Sequence, residues 1–252
     1  SAERKKLTDE KLELVGLTQW RKKRPSALSG GMQQRVGLAR ALAMDADILL
    51  MDEPFSALDP LIRQGLQDEL LQLQRKLNKT IVFVSHDLDE ALKIGNRIAI
   101  MKDGQIVQHS KPEDIVLNPV NDYVRTFVAH TNPLNVLRGQ SLMRKLADCA
   151  QHEGEVSLDA DSDLWFSLEP NGQFKSARRG AEALPLQKWT AGQPVESLAR
   201  QPTLVDASIG MRDALHIRYQ TGHKLLLQEN QQVVGTLGDG ELYHALLGKA
   251  MG

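Results

Sequence analysis

No apolar run in the 252-residue sequence approaches the roughly 18 residues that span a bilayer, which excludes a membrane-crossing helix. The opening SAERKK is charged and is not followed by the apolar, small-residue succession of a secretory signal. The single cysteine, Cys149, excludes an internal disulfide framework, suits a reducing compartment, and reads as a small apolar residue rather than a catalytic thiol. Neither sign of charge is in excess: 31 Lys and Arg stand against 32 Asp and Glu, so no global field draws the chain to nucleic acid or anionic lipid. What is present is a hydrophobic content of 41%, enough for one large core or two smaller ones.

Polar chemistry concentrates in residues 28–59, LSGGMQQRVGLARALAMDADILLMDEPFSALD. Ser29, Gly30 and Gly31 precede Met32, Val36, Ala39 and Leu42, apolar positions at helical spacing, while Gln33, Gln34, Arg35 and Arg40 fall elsewhere. Ser29 is the expected N-cap. The first helical N–H groups lack internal partners, and the glycines let an anion approach them, so this end of the helix can bind phosphate. After the linker Met44-Asp45-Ala46-Asp47, the run Ile48-Leu49-Leu50-Met51 is expected as a buried parallel strand ending in Asp52-Glu53-Pro54. Carboxylates at that end of a strand stand where open α/β sheets bind ligands. Neighbouring strand residues point to opposite sides, so the two acids divide the work: Asp52 suits a Mg²⁺ ion held through water, and Glu53 can polarise a water for attack on phosphorus.

The ordered set LSGGMQQR, ILLMDEP and SALD, continued by Ile81-Val82-Phe83-Val84-Ser85-His86-Asp87, resembles the nucleotide-binding subunit of an ABC (ATP-binding cassette) transporter. The resemblance implies an α/β fold, part of a P-loop NTPase nucleotide-binding domain with a parallel sheet, and ATP and Mg²⁺ as cofactors. It implies Glu53 and His86 as catalytic residues, Asp52 as the water-mediated Mg²⁺ site, and Ser29, Gly30, Gly31 and Gln33 as signature residues that meet the nucleotide in trans across a homodimer. Asp59 would lie in the loop that crosses to the partner subunit. His86 is expected at the same sheet edge as Glu53, bonding the terminal phosphate and orienting the attacking water. Such subunits work at the cytoplasmic face of the plasma (inner) membrane with transmembrane permease subunits and, indirectly, a substrate-binding protein; no nucleic acid is implied. The sequence contains no G-x-x-x-x-G-K-[ST] loop, which the family places upstream of residue 1 here. The chain is therefore expected to be the carboxyl-terminal portion of a longer subunit and to hydrolyse ATP negligibly alone. Arg24 and Ala27 depart from the family's usual aromatic and Glu or Gln, a matter of packing.

Along the chain, a helix is expected from Thr8 or Asp9, capped by the Thr8 hydroxyl. Asp59-Pro60 begins a helix carrying Ile62, Leu66, Leu70, Leu73 and Leu77, followed by the turn Asn78-Lys79 and the strand 80–84. A helix over 87–94, a hairpin turning at Asp103-Gly104, and short helices over 112–117 and 122–129 complete a cassette over 1–130. Within it, DLDEALKIGNRIAIM and NPVNDYVRTFV, with the following HTNPLNVLRG, resemble the quaternary-amine importers that take up choline, glycine betaine or proline. Residues 131–200 read as a linker with a small hairpin, in which strand material such as Leu164-Trp165-Phe166-Ser167-Leu168 leads into the turn Pro170-Asn171-Gly172. Residues 201–248 resemble a single CBS-like motif, a small α+β region of strand, helix, strand, strand, helix. Such motifs pair, here with a degenerate partner in 140–200 or with a second subunit. Gly238 and Glu241 stand where nucleotide-binding copies carry Ser or Thr and Asp, which counts against adenosine binding, and Arg212, Arg218 and Lys224 are expected to supply basic surface. Two competing functions are a non-catalytic regulatory fragment with a CBS-like sensor, and a non-transport ABC ATPase. The second would carry two cassettes or long coiled insertions, and neither is in the sequence.

Overall fold

A computed structural model describes residues 2–44, 46–56, 58–77, 79–159 and 162–247. Asp45, Ala57 and Asn78, in the expected linker, loop and turn, and Gly248, at the end of the CBS-like stretch, lie outside the described residues. The chain divides into two compact units, Ser1–Gly95 and Asn96–Gly252, so the division falls inside the stretch expected as one cassette over 1–130. Among the described residues no helix is long and apolar enough to cross a membrane.

In the first unit, α1 (Ala2–Leu14) precedes α2 (Gly30–Ala43). Thr8 does not cap α1: it lies inside the helix, and its hydroxyl donates to the Arg4 carbonyl one turn back at 2.8 Å. β1 (Ile48–Asp52) and β2 (Thr80–Val84) pair in parallel, from Ile48 opposite Thr80 to Asp52 opposite Val84, joined by α3 (Pro60–Leu77). α4 (Leu88–Ile94) follows, with Asp87 as its N-cap. The helical spacing read from sequence packs as expected on one side: Ala39, Leu42, Leu49 and Leu73 bury with Val15 and Leu17, and Phe55 with Leu66 and Leu70. The other side of the two-stranded sheet is open. Ile48 is 62% and Leu50 74% exposed, and Val82 and Val84 lie open beside them, whereas Leu49 between the first two is buried. A strand expected to be buried on both faces is thus buried on one.

In the second unit, β3 (Ile98–Lys102) and β4 (Gln105–Ser110) form the expected hairpin, and α5 (Pro112–Leu117) and α6 (Asp122–Val128) the two short helices, the latter capped by Asn121. α7 (Gly139–Leu142) and β5 (Arg144–Lys145) lead onward. What was expected as a linker with one hairpin is a five-stranded antiparallel meander: β6 (Gln151–His152), β7 (Glu155–Asp159), β8 (Leu164–Leu168), β9 (Phe174–Arg179) and β10 (Glu182–Leu184). β8 is the strand material read from sequence; the other strands carry polar residues between their apolar ones, which makes them read as loop. Next come β11 (Gln187–Lys188), β12 (Thr203–Asp206), α8 (Met211–Thr221), β13 (Leu225–Glu229), β14 (Gln232–Leu237) and α9 (Asp239–Leu247). The five elements from β12 to α9 are the five read from sequence. Their sheet runs β11-β12-β13-β14-β5, parallel over the first three and antiparallel thereafter.

The two sheets share one core. Val156, Leu158, Leu164, Phe166 and Ala177 from the meander bury against Leu204, Leu226 and Val233. The tips are tied as well: the Gly172 carbonyl accepts from Val233 N at 3.0 Å, and the Asn171 carbonyl from Gln232 Nε2 at 2.8 Å. The meander therefore gives the β12–α9 elements the second face that one small sheet needs.

Candidate functional site

The carboxyl ends of β1 and β2 hold together one residue beyond the strands, where Glu53 N donates to the Val84 carbonyl at 2.9 Å. Glu53 then turns sharply, with φ +42°, and its carbonyl accepts from Ser56 N at 3.3 Å and Ser56 Oγ at 3.0 Å. A left-handed non-glycine backbone is held only where its surroundings over-determine it. The turn brings Glu53 Oε1 to 3.0 Å from His86 Nδ1, as the shared sheet edge required, and both side chains remain open to a ligand. Asp52 closes β1 and is exposed. One carboxylate is too few for a dedicated cage, and it suits an ion that keeps several waters and takes other ligands from phosphate. Among the described residues no three His, Cys, Asp or Glu groups converge to hold a metal.

Behind His86 lies a polar network that the sequence reading missed. Asp87 caps α4, accepting from Glu90 N at 3.2 Å through Oδ1, and takes Arg63 Nη1 at 3.1 Å on Oδ2. Glu90 is buried; its Oε1 accepts from Gln67 Nε2 at 3.0 Å and its Oε2 from the Ser85 hydroxyl. The available signal was spacing: Asp59, Arg63 and Gln67 recur every four residues. Asp59 Oδ1 accepts from Leu61 N at 3.2 Å and Ile62 N at 3.1 Å, which caps α3.

At the start of α2, Ser29 is the N-cap, its hydroxyl accepting from Met32 N at 3.4 Å. Gln33 turns back on its own loop, its side-chain amide donating to the Leu28 carbonyl at 3.0 Å. Gly31 has a packing reason beside the ligand-approach one: a β-carbon there would lie 3.1 Å from Ile62 Cγ2 and 3.7 Å from Leu66 Cδ1, so its absence lets α2 close on α3. Gly30 meets nothing nearer than Leu58 Cδ2 at 4.0 Å.

In the second unit the residues flagged from sequence are engaged with one another. Glu241 Oε2 accepts from Gly238 N at 3.0 Å, and Oε1 lies 2.9 Å from Arg144 Nη2. The Lys224 stem lies over Gly238, where a β-carbon would come within 2.8 Å of Cγ, and its ammonium reaches Asp159 at 3.4 Å. Arg218 pairs with Asp239 at 2.8 Å and Arg212 Nη2 donates to Asn135 Oδ1 at 3.1 Å, so the basic surface expected from these three residues is partnered. Cys149 is buried against Thr236, the ordinary apolar role read for it.

Residues 2–56 match the ABC transporter family. The glycine betaine/carnitine transport ATP-binding protein GbuA of Listeria monocytogenes is 56% identical over 252 residues, 98% of this chain and 64% of the relative. The glycine betaine transport ATP-binding protein OpuAA of Bacillus subtilis is 57% identical over 166 residues, 66% of this chain and 40% of the relative. The glycine betaine/proline betaine transport system ATP-binding protein ProV of Escherichia coli is 40% identical over 257 residues, 97% of this chain and 63% of the relative. The chain thus spans between 40% and 64% of the length of these relatives. With the signature loop capping α2, the paired strand ends and the Glu53–His86 contact in place, the chain resembles ATP-binding subunits of the ABC transporter family over 97–98% of its own length.

Proposed function

We propose that the chain forms the signature-, acid- and histidine-bearing part of an ATP-hydrolysing subunit of an ABC importer for a quaternary amine such as choline or glycine betaine. The observation that carries this reading is the 3.0 Å contact of His86 Nδ1 with Glu53 Oε1 at the ends of two paired parallel strands. Glu53 takes the proton of the attacking water. His86 steadies that carboxylate through Nδ1 and turns Nε2 toward the terminal phosphate. A neutral imidazole donates from one nitrogen, so His86 donates to both anions when it carries both protons. Asp52 would hold Mg²⁺ through water, and that ion, when bound, neutralises charge on the terminal phosphates. Ser29, Gly30, Gly31 and Gln33 face nucleotide held by a second copy, and the Asp59 loop meets that copy. The cradle for the inner phosphates is the glycine-lysine loop that this sequence does not contain.

The substrate class follows from the names of the relatives, which specify glycine betaine, proline betaine and carnitine. In this reading the subunit docks on transmembrane permease subunits at the cytoplasmic face of the membrane, and a substrate-binding protein delivers the solute to them. The test is Glu53→Gln in the assembled transporter. Magnesium-dependent hydrolysis and glycine betaine uptake are expected to fall together by about 10²- to 10⁴-fold, the usual contribution of a general base, with ATP binding retained. Hydrolysis at the parent rate would overturn the assignment. A regulatory role for the carboxyl-terminal part is supported by the β12–α9 order, strand, helix, strand, strand, helix, which resembles that of a CBS motif. With Glu241 and Gly238 already engaged, that region is not read as an adenosine site.

A further inference from the structure

Two polar residues of α3 that the proposed chemistry leaves unused are Arg63 and Gln67. With Asp59 they repeat every four residues, which places all three on one helix face. Each reaches the segment that carries His86: Arg63 Nη1 donates to Asp87 Oδ2 at 3.1 Å, and Gln67 Nε2 to Glu90 Oε1 at 3.0 Å. The far sides of both acids close the circuit. Asp87 Oδ1 accepts from Glu90 N, Glu90 Oε2 accepts from the Ser85 hydroxyl, and Ser85 Oγ accepts from Asp87 N at 3.0 Å. Of the two chain neighbours of His86, Asp87 is therefore bonded to α3 directly and Ser85 through Glu90.

Arg63 also reaches the loop before its own helix. Nη2 donates to the Leu58 carbonyl at 3.2 Å, next to Asp59, while Nη1 holds Asp87. The guanidinium is planar and rigid, so a displacement of the loop that turns one branch turns the other. Gln67 and Glu90 are 6% and 7% exposed. A buried carboxylate is costly unless its oxygens are bonded, so this one holds its partners to a narrow geometry.

We infer that Arg63, Gln67 and Glu90 are positioning residues, through which the loop ending at Asp59 sets where His86 stands against Glu53. The inference rests on the catalytic reading for its effect on hydrolysis, but the geometry it claims is measurable without hydrolysis. The full chain carrying ¹⁵N-labelled imidazoles is followed by NMR, with His86 assigned from His86→Gln and its Nδ1–H signature identified by its loss in Glu53→Ala. Glu90→Gln and Gln67→Glu, made singly, are each expected to shift the His86 tautomer ratio about tenfold, the size of one lost hydrogen bond to a charged group, while the other histidines keep their signals. The double exchange Gln67→Glu with Glu90→Gln restores a donor facing an acceptor, leaves an oxygen for Ser85, and is expected to return the ratio to the parent value. Arg63→Lys, at a partly exposed site, provides a second test with a milder effect of the same direction should a buried variant fail to fold.

Single variants that fold with the parent His86 signature overturn the inference, as does a double exchange that regains stability without regaining the ratio. In the assembled transporter the same single variants are expected to lower kcat for ATP while leaving KM unchanged. A moved signature with unaltered kcat would sink the catalytic reading of His86 and leave the positioning intact.

Discussion

The two units place their information in opposite ways. Residues 1–95 carry chemistry that can be read residue by residue, on a sheet of two strands with one side open: Ile48, Leu50, Val82 and Val84 face outward. Residues 96–252 carry little that reads as chemistry, yet they enclose Leu158, Leu164, Phe166, Leu204, Leu226 and Val233 between two five-stranded sheets. Parallel strands are ordinarily covered on both faces, so the first unit has an apolar side in search of cover, whereas the two five-stranded sheets of the second cover each other. A functional sequence and a self-sufficient core are separate properties, and this chain divides them between its parts.

The sharpest test of that contrast is the core of the second unit. Phe166→Ala removes a ring with no exposure and is expected to destabilise that unit by about 3–5 kcal/mol in chemical denaturation, leaving the Glu53–His86 pair undisturbed by NMR. Equal loss in both units would mean that they do not fold separately. Leu49→Ala, from a cluster backed by an open sheet, is expected to cost the first unit less, about 2–3 kcal/mol, because the site can collapse.

A smaller effect follows from pH. Burial, then the charge of Arg179 and more weakly of Arg218, holds His223 below its ordinary value, against the opposing backbone of Arg200 and Asp159. The unfolded chain then binds the extra proton first as pH falls below about 6.5, so stability present above that value is lost as pH drops through the folded value. His223→Gln is expected to flatten this acid limb in the second unit's unfolding, with the first unit's transition unchanged. The least effect on stability is expected from Leu50→Thr, within about 0.5 kcal/mol, since the side chain is 74% exposed. Its readout is colloidal: light scattering of the concentrated chain should fall, and an unchanged signal would mean that the open face does not draw copies together.

Much of the candidate site was legible because its residues are defined by local order. A serine before a helical repeat caps that helix, and acids closing a strand must stand at a sheet edge, so Ser29, Glu53 and His86 appear where expected. Arg63, Gln67 and Glu90 were not legible, since a polar residue on a helix becomes a partner only when another element is laid against it. Strand periodicity found β12 to α9, whose apolar residues are dense. In the meander it found only β8; elsewhere buried Ala177 stands beside Arg178, which pairs with Glu155 across the strands, and only the completed sheet tells those two kinds of position apart. Gln33 and Lys224 show what local order leaves out: in the fold the first bonds a carbonyl and the second pairs with a carboxylate, and neither contact is announced by the residues beside it.

The backbone bond from Glu53 N to the Val84 carbonyl has a further meaning. It ties position 53 to the neighbouring strand through atoms common to every residue except proline, so the side chain there is a reagent mounted on a bracket and can be exchanged without dismounting it. What restricts the exchange is the left-handed turn, with φ +42°. Asparagine and glycine fit that turn readily and β-branched residues do not. Position 53 is therefore open to a library of small polar replacements, each reporting on what its own functional group can do at a fixed address.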